Sequence, residues 1–263
     1  RHLQLISEGS VATRSARDKH EHMTSLIAWT GADSRGLASL HLAADSRVSW
    51  TAGPNTPWDR AQKVFAAHTG PLLVGYVGDV IFPSLTIQRA LALTDSCVDS
   101  QVTGTAHSRM EDHLRRAFNA APSHMRRDFA LVSASREGEG LNCRFRIWRT
   151  RVNRNGWATD ELHIPNRSGE IIVMGTGEQG VRSTLDDWNR SSQGGTSRAV
   201  YSAFVQAIGS GADRFTAAPA QLASVYRSGP GALLGTFHED RPFVAGMEWV
   251  HEGNGKPSME WRI

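Results

Sequence analysis

The chain is poor in cysteine and has no long apolar run. Cys97 and Cys143 are its two cysteines, too few for a disulfide framework, which excludes the small scaffolds that depend on one. No apolar run approaches the length of about 20 residues that a membrane-spanning helix needs. Residues 1–22 are polar and basic and lack the apolar core of a secretory signal. No segment recurs at a period of about 20 to 50 residues, which excludes repeat architectures. The 11 histidines show no metal-ligand spacing, so neither a catalytic metal nor a cofactor is expected, and His20-x-His22 is read as incidental. There is no large excess of one charge either: the net charge is +3, mildly basic and no nucleic-acid footprint in itself. The densest basic cluster is Arg144, Arg146, Arg149, Arg151 and Arg154. Its Arg144-Phe145-Arg146-Ile147 alternation reads as a strand with arginines on its wet face. The expected setting is cytoplasmic, with no membrane and no nucleic acid as partner.

What is present suits a globular protein, with 40% hydrophobic and 21% charged residues in a chain of 263. Residues 1–22 read as a leader or upstream extension, and Met23 as the true start of a single domain over 23–263. Strands are expected at Leu26–Trp29, Leu37–Ala44, Val64–Ala66 and Pro71–Val77, with a turn at Asp33-Ser34-Arg35-Gly36 and a loop over residues 51–57. A helix is expected from Val80 to Thr94, with Pro83 in its first turn, and another from Ser108 to Ala120. Residues 96–106 read as a loop between them. Strands follow at Phe129–Ser135, Asn142–Thr150 and Trp157–Ile164, with Asn155-Gly156 as the strongest hairpin signal. The apolar run Glu170–Met174 breaks at Gly175-Thr176-Gly177 into a helix reaching Asn189, and Thr196–Ala212 is a fourth helix. Strands at Gln221–Arg227, Ala232–His238 and Phe243–Trp249 complete the set. Consecutive strands joined by hairpins argue for antiparallel sheets with helices on the outer faces, an α+β arrangement compatible with a four-layer αββα sandwich.

Two features of the first strand pair invite a chemical reading. Thr24 heads the first strand directly after Met23, and Asp45 ends the second. A threonine at a chain start is a self-contained catalytic pair: its hydroxyl is the nucleophile, and its α-amine is a base with an ordinary pKa of about 7.7–8.0.

The order of these elements and their breakpoints resembles the proteasome β-subunit family and the peptidase subunit of the related bacterial two-component ATP-dependent protease, both N-terminal nucleophile hydrolases. The resemblance spans about residues 24–250 and rests on six sites. Thr24 matches the family's nucleophile. Leu42-Ala43-Ala44-Asp45-Ser46-Arg47 looks like the second strand whose Asp contacts the catalytic Lys, and Lys63 before Val64 matches that Lys. Gly75-Tyr76-Val77-Gly78-Asp79 is similar to the segment whose backbone N–H forms the oxyanion hole, with Gly78 as the donor. Gly175-Thr176-Gly177 is similar to the family's Gly-Ser-Gly, and Asp213-Arg214-Phe215-Thr216-Ala217-Ala218 to its Asp-x-x-Ser-Gly-Gly. The chain departs from the pattern at Thr216-Ala217-Ala218, at Asp79 in place of a second Gly, and in having no Gly just before Thr24. The last departure favours simple removal of Met23 over autocatalytic processing.

The resemblance implies hydrolysis of peptide bonds through an acyl-enzyme. Thr24 would be the nucleophile, Lys63 a fixed positive charge beside it, and Asp45 the group that orients Lys63. Gly78 would be the oxyanion donor, Thr176, Asp213 and Thr216 the set that fixes the amine, and Tyr76 and Val80 the lining of the first specificity pocket. A polypeptide substrate, a homo-oligomeric ring and an ATPase or other regulator are the partners implied. A same-fold amidase or acylase acting on small amides and a non-catalytic ring or scaffold subunit are the alternatives that the residues leave open.

Overall fold

A computed structural model describes residues 24–49, 56–96, 105–250 and 261–262. The leader over residues 1–22, Met23, most of the expected loop over 51–57, most of that over 96–106, and Cys97 lie outside the described residues. The elements in chain order are β1 (Ser25–Asp33), β2 (Gly36–Ala44), β3 (Val64–Ala66), β4 (Leu72–Gly78), α1 (Ile81–Ser96), α2 (Ala106–Ala120), β5 (Phe129–Glu137), β6 (Arg144–Asn153) and β7 (Gly156–Glu161). They continue with β8 (Gly169–Gly175), α3 (Glu178–Asn189), α4 (Ser197–Gly209), β9 (Gln221–Tyr226), β10 (Ala232–His238), β11 (Arg241–Val244), β12 (Met247–Glu248) and β13 (Trp261–Arg262).

Alternation along the strands sorts side chains between two faces. In β1, Leu26 and Ala28 face one way, into a core shared with Leu40, Leu42, Val64, Leu73, Val77, Val132 and Ile147. Ile27 and Trp29 face the other way, onto Val181 and Leu185 of α3 and Phe204 and Ile208 of α4. In β4, Leu73 and Val77 join the first core, whereas Leu72, Val74 and Tyr76 meet Phe82, Ile87 and Leu91 of α1 and Met110, Leu114 and Phe118 of α2. A slip of one residue in β1 or β4 would exchange these sets between two packed cores, so its cost is mismatched packing on both faces rather than exposure.

The strands form two sheets. One has eight strands in the order β12-β11-β10-β9-β2-β1-β8, with β13 pairing parallel to β10 off that path. The other is β3-β4-β5-β6-β7. Among the described residues every other strand pair is antiparallel, so the protein is α+β, with two sheets that are antiparallel but for that one pair and with four α-helices. The sheets approach closely at Gly75, where a Cβ would lie 2.5 Å from Leu26 Cδ1 of the opposite sheet. Among the described residues no helix is long and apolar enough to cross a membrane.

Three local readings change. The expected strand Phe243–Trp249 is two strands, β11 and β12, because Ala245 and Gly246 take positive φ (48° and 84°) and reverse the chain. The fourth helix stops at Gly209 rather than Ala212. The arginines of β6 occupy both faces rather than one, as alternation requires. Arg146 pairs with Glu137 and Glu161, while Arg149 and Arg151 share Asp160.

Candidate active site

The site lies where β1 and β9 begin, β2, β4 and β8 end, and the chain enters β3. Asp45 follows β2 without exposed surface, and each of its carboxylate oxygens accepts two bonds. Oδ1 takes Lys63 Nζ at 2.9 Å and Ser25 N at 2.9 Å. Oδ2 takes Arg47 N at 2.9 Å and Ala217 N at 3.4 Å. Four donors compensate a charge that burial alone would make prohibitive.

Lys63 is likewise buried, with 1% of its surface exposed. Its Nζ donates to Asp45 Oδ1 and, at 2.5 Å, to the carbonyl of Arg47. Burial pushes its pKa below the ordinary lysine value, and the charge and hydrogen bond of Asp45 oppose that fall. Arg47 is itself clamped. Its guanidinium forms a two-pronged pair with Asp59 and donates to the carbonyl of Arg214 at 3.0 Å. The bond to Asp59 raises the arginine's pKa further.

Thr24 stands one peptide bond from this pair, since Ser25 N carries the bond to Asp45. It is buried, and β8 packs hard against its carbonyl: a Cβ on Gly175 would lie 1.7 Å from Thr24 O. Glycine is required there for this approach and for a φ of 102°. The turn after Gly175 delivers Thr176, whose Oγ1 donates to Asp213 Oδ2 at 2.6 Å. Asp213 Oδ1 accepts Phe215 N at 2.9 Å, and its backbone carbonyl accepts Thr216 N at 3.3 Å and Thr216 Oγ1 at 3.4 Å. Gly177 spaces the two groups, for a Cβ there would meet Ser25 Oγ at 2.0 Å and Asp213 Oδ2 at 3.4 Å.

No protein-family model and no curated protein sequence matches this chain.

Gly78 ends β4 at a φ of 104°. Asp79 N donates to Asp128 O, so Gly78 and its opposite residue Phe129 form a pair without ladder bonds. The Gly78 N–H therefore points away from β5, toward the side on which Lys63 leads into β3. Asp79 has a local task, because its Oδ2 accepts Ile81 N at 3.1 Å and Phe82 N at 3.4 Å and caps α1. Tyr76 is fully buried, its ring stacked near Phe65 and its hydroxyl donating to Gln62 O at 3.3 Å, while Val80 packs at the margin of the same cluster. Burial holds the Tyr76 phenol far above its usual pKa.

Thr24, Asp45, Lys63, Thr176, Asp213 and Thr216 thus converge through hydrogen bonds and shared backbone. Tyr76, expected to line a specificity pocket, is instead a core residue with no exposed surface. Sequence reasoning overlooked Ser25, whose amide ties the first strand to Asp45. It also overlooked Gln221, whose side chain bonds to the segments of both Asp45 and Lys63. A lone glutamine opening a strand carries no spacing signal. Among the described residues no group of three or more His, Cys, Asp or Glu is arranged to hold a metal ion.

Proposed function

We propose that this chain is a threonine-type peptidase of the N-terminal nucleophile kind, with Thr24 as nucleophile. The observation that carries the reading is the convergence of Lys63 Nζ and Ser25 N on one oxygen of Asp45. It joins Lys63 Nζ, through one carboxylate oxygen, to the amide that links Thr24 and Ser25. The three separate apolar clusters, one between the sheets and one beneath each helix pair, support a four-layer αββα arrangement.

With Thr24 first in the chain, its Oγ attacks the scissile carbonyl and its α-amine takes the hydroxyl proton. The amine then gives that proton to the leaving amine as the peptide bond breaks, and water hydrolyses the resulting ester. Lys63 is the fixed positive charge that lowers the proton affinity of the hydroxyl and amine. Gly78 N–H meets the oxyanion, an interaction on the order of 3 kcal/mol. Thr176, Asp213 and Thr216 hold the amine, and the half-buried Val80 borders the first specificity pocket, whereas Tyr76 lies in the core behind it. The exposed Ile81 and Leu85, one turn apart on α1, supply an apolar face for a homo-oligomeric ring. An ATPase or other regulator is the partner that such a ring would need to admit folded substrates.

A second reading, an amidase or acylase acting on small amides, would use the same nucleophile, charge and oxyanion donor. The test treats protein beginning at Thr24 with a threonine-directed epoxyketone, followed by intact mass and hydrolysis of fluorogenic peptides. One adduct per chain on Thr24, with loss of peptide turnover, is expected. Absence of an adduct overturns the nucleophile, and an adduct with turnover of small amides but not peptides favours the second reading.

A further inference from the structure

Gln221 opens β9 with no exposed surface, and its side chain spans from the eight-stranded sheet to the five-stranded one. Its Oε1 accepts Lys63 N at 2.8 Å and Val64 N at 3.4 Å. Its Nε2 shares two hydrogens among three acceptors, Ala61 O at 2.5 Å, Ser46 Oγ at 2.9 Å and Asp45 O at 3.3 Å. A backbone N–H can only donate and a carbonyl can only accept, so these partners fix which way the amide faces. Asp45 follows β2 in one sheet, whereas Lys63 leads into β3 in the other. The ion pair therefore crosses between sheets, and the glutamine crosses beside it. The backbone itself joins the two segments where Ala61 N donates to Ser46 O at 3.1 Å.

We propose that Gln221 is a positioning residue that sets the separation of Asp45 and Lys63 and so holds the Lys63 ammonium in place. A buried amide is costly relative to an apolar side chain unless its groups are bonded, and here both ends are. The charges that bear on Lys63 are Asp45, Asp59 and Arg47, all outside β9, so the glutamine acts through backbone placement and not through charge. The functional meaning of the strut rests on Lys63 being the charge beside Thr24, whereas its geometry does not.

The test reads Lys63 directly. The chain has three lysines, Lys19, Lys63 and Lys256, so selective lysine labelling gives a simple NMR spectrum in which Lys63 is assigned through its backbone amide. In Gln221→Glu, the protonated acid still accepts from Lys63 N and donates to Ala61 O, whereas the ionised acid loses the donor and opposes two carbonyls. The Lys63 side-chain signal should therefore match the unsubstituted protein at low pH and move away from it above the introduced carboxyl's own midpoint. In Gln221→Met, similar in length but without hydrogen bonds, it should be displaced at every pH. A role confined to stability would lower the melting temperature and leave the Lys63 signal of the folded variants unmoved, which overturns the proposal. Should neither variant fold, the unsubstituted protein decides. Gln221 carboxamide protons are expected to exchange at least about 100-fold more slowly than those of an exposed glutamine, with a nuclear Overhauser contact to the Lys63 N–H. Exchange at the exposed rate overturns the strut. An inactive protein whose Lys63 signal behaves as expected sinks the peptidase and leaves the strut standing.

Discussion

Ala217 N donates to Asp45 Oδ2 at 3.4 Å across 172 residues of sequence, and this bond joins two groups of residues. On one side is the buried pair of Asp45 and Lys63. On the other is the set of Thr176, Asp213 and Thr216, built on the turn after β8 and the loop after α4. Ser25 lies between them, its amide on Asp45 and its side chain against Gly177. Thr24 is thus held by the protein on both sides of its peptide.

Lys63→Ala should lower peptide turnover by at least about 100-fold. It should also destabilise the fold toward the lower end of the about 3–5 kcal/mol typical of a broken buried pair, because Asp45 keeps three backbone donors. Lys63→Arg should fail as well, since a planar guanidinium does not fit where a compact ammonium reaches both Asp45 Oδ1 and Arg47 O. Urea unfolding alongside turnover separates the two effects. Near-normal turnover in either variant would mean that the positive charge is not needed.

Much of this arrangement was legible in the chain, and the illegible parts have physical reasons. Val64–Ala66 and Ala232–His238 are strands with the expected bounds because short apolar runs there end at turn residues. The pairing of Asp45 with Lys63 was expected from resemblance and is present as a contact. The hairpin of β11 and β12 carried a weak signal, because only Gly246 of its two positive-φ residues is a turn former and Ala245 is not. Gln221 was hidden because its partners lie 157 to 176 residues away. Asp79 was read as a departure near the oxyanion segment, although an Asp before an apolar helical run is also a cap, which is the task it performs here.

Gly175→Ala tests the closeness of β8 to Thr24. The new methyl would lie 1.7 Å from Thr24 O at a backbone φ of 102°, so neither a rotamer change nor a small shift relieves it. A loss of more than about 3 kcal/mol is expected, read as a fall in the denaturation midpoint. Gly177→Ala has an ordinary φ and meets a serine hydroxyl that can rotate, so it should fold and lose less. Equal stability of the two variants would show that β8 does not press on Thr24.

Acid should loosen the contact of α2 with the second sheet. Burial works against the charge of Glu111, but hydrogen bonds from His107, Arg115 and Thr159 outweigh it and hold the carboxyl at about 2. A folded-state pKa below the ordinary 4.5 means that this stabilisation is complete above about pH 4.5 and is lost as pH falls toward 2. Glu111→Gln should therefore lower the melting temperature at neutral pH and flatten its decline between pH 4.5 and 2. An unchanged slope in that window would remove Glu111 from the acid response.

The start of the active chain follows from the chemistry of nitrogen. An amine accepts a proton on its lone pair. In a peptide bond that pair is delocalised into the carbonyl, so the amide cannot take the proton from Thr24 Oγ. Protein in which residues precede Thr24 should fold and fail to hydrolyse peptides, while protein beginning at Thr24 should be active. A chain started at Met23 should lose its methionine, because threonine is small enough for methionine removal, and should gain activity as it does. Thr24→Ala in that form should abolish turnover, and Thr24→Ser should retain part of it, the serine hydroxyl being a nucleophile without the methyl group. Expression of both lengths, with intact mass and peptide hydrolysis measured on the same samples, makes the comparison. Equal turnover by the 263-residue chain and the chain beginning at Thr24 would show that the α-amine is not the base, and the N-terminal nucleophile reading would fall with it.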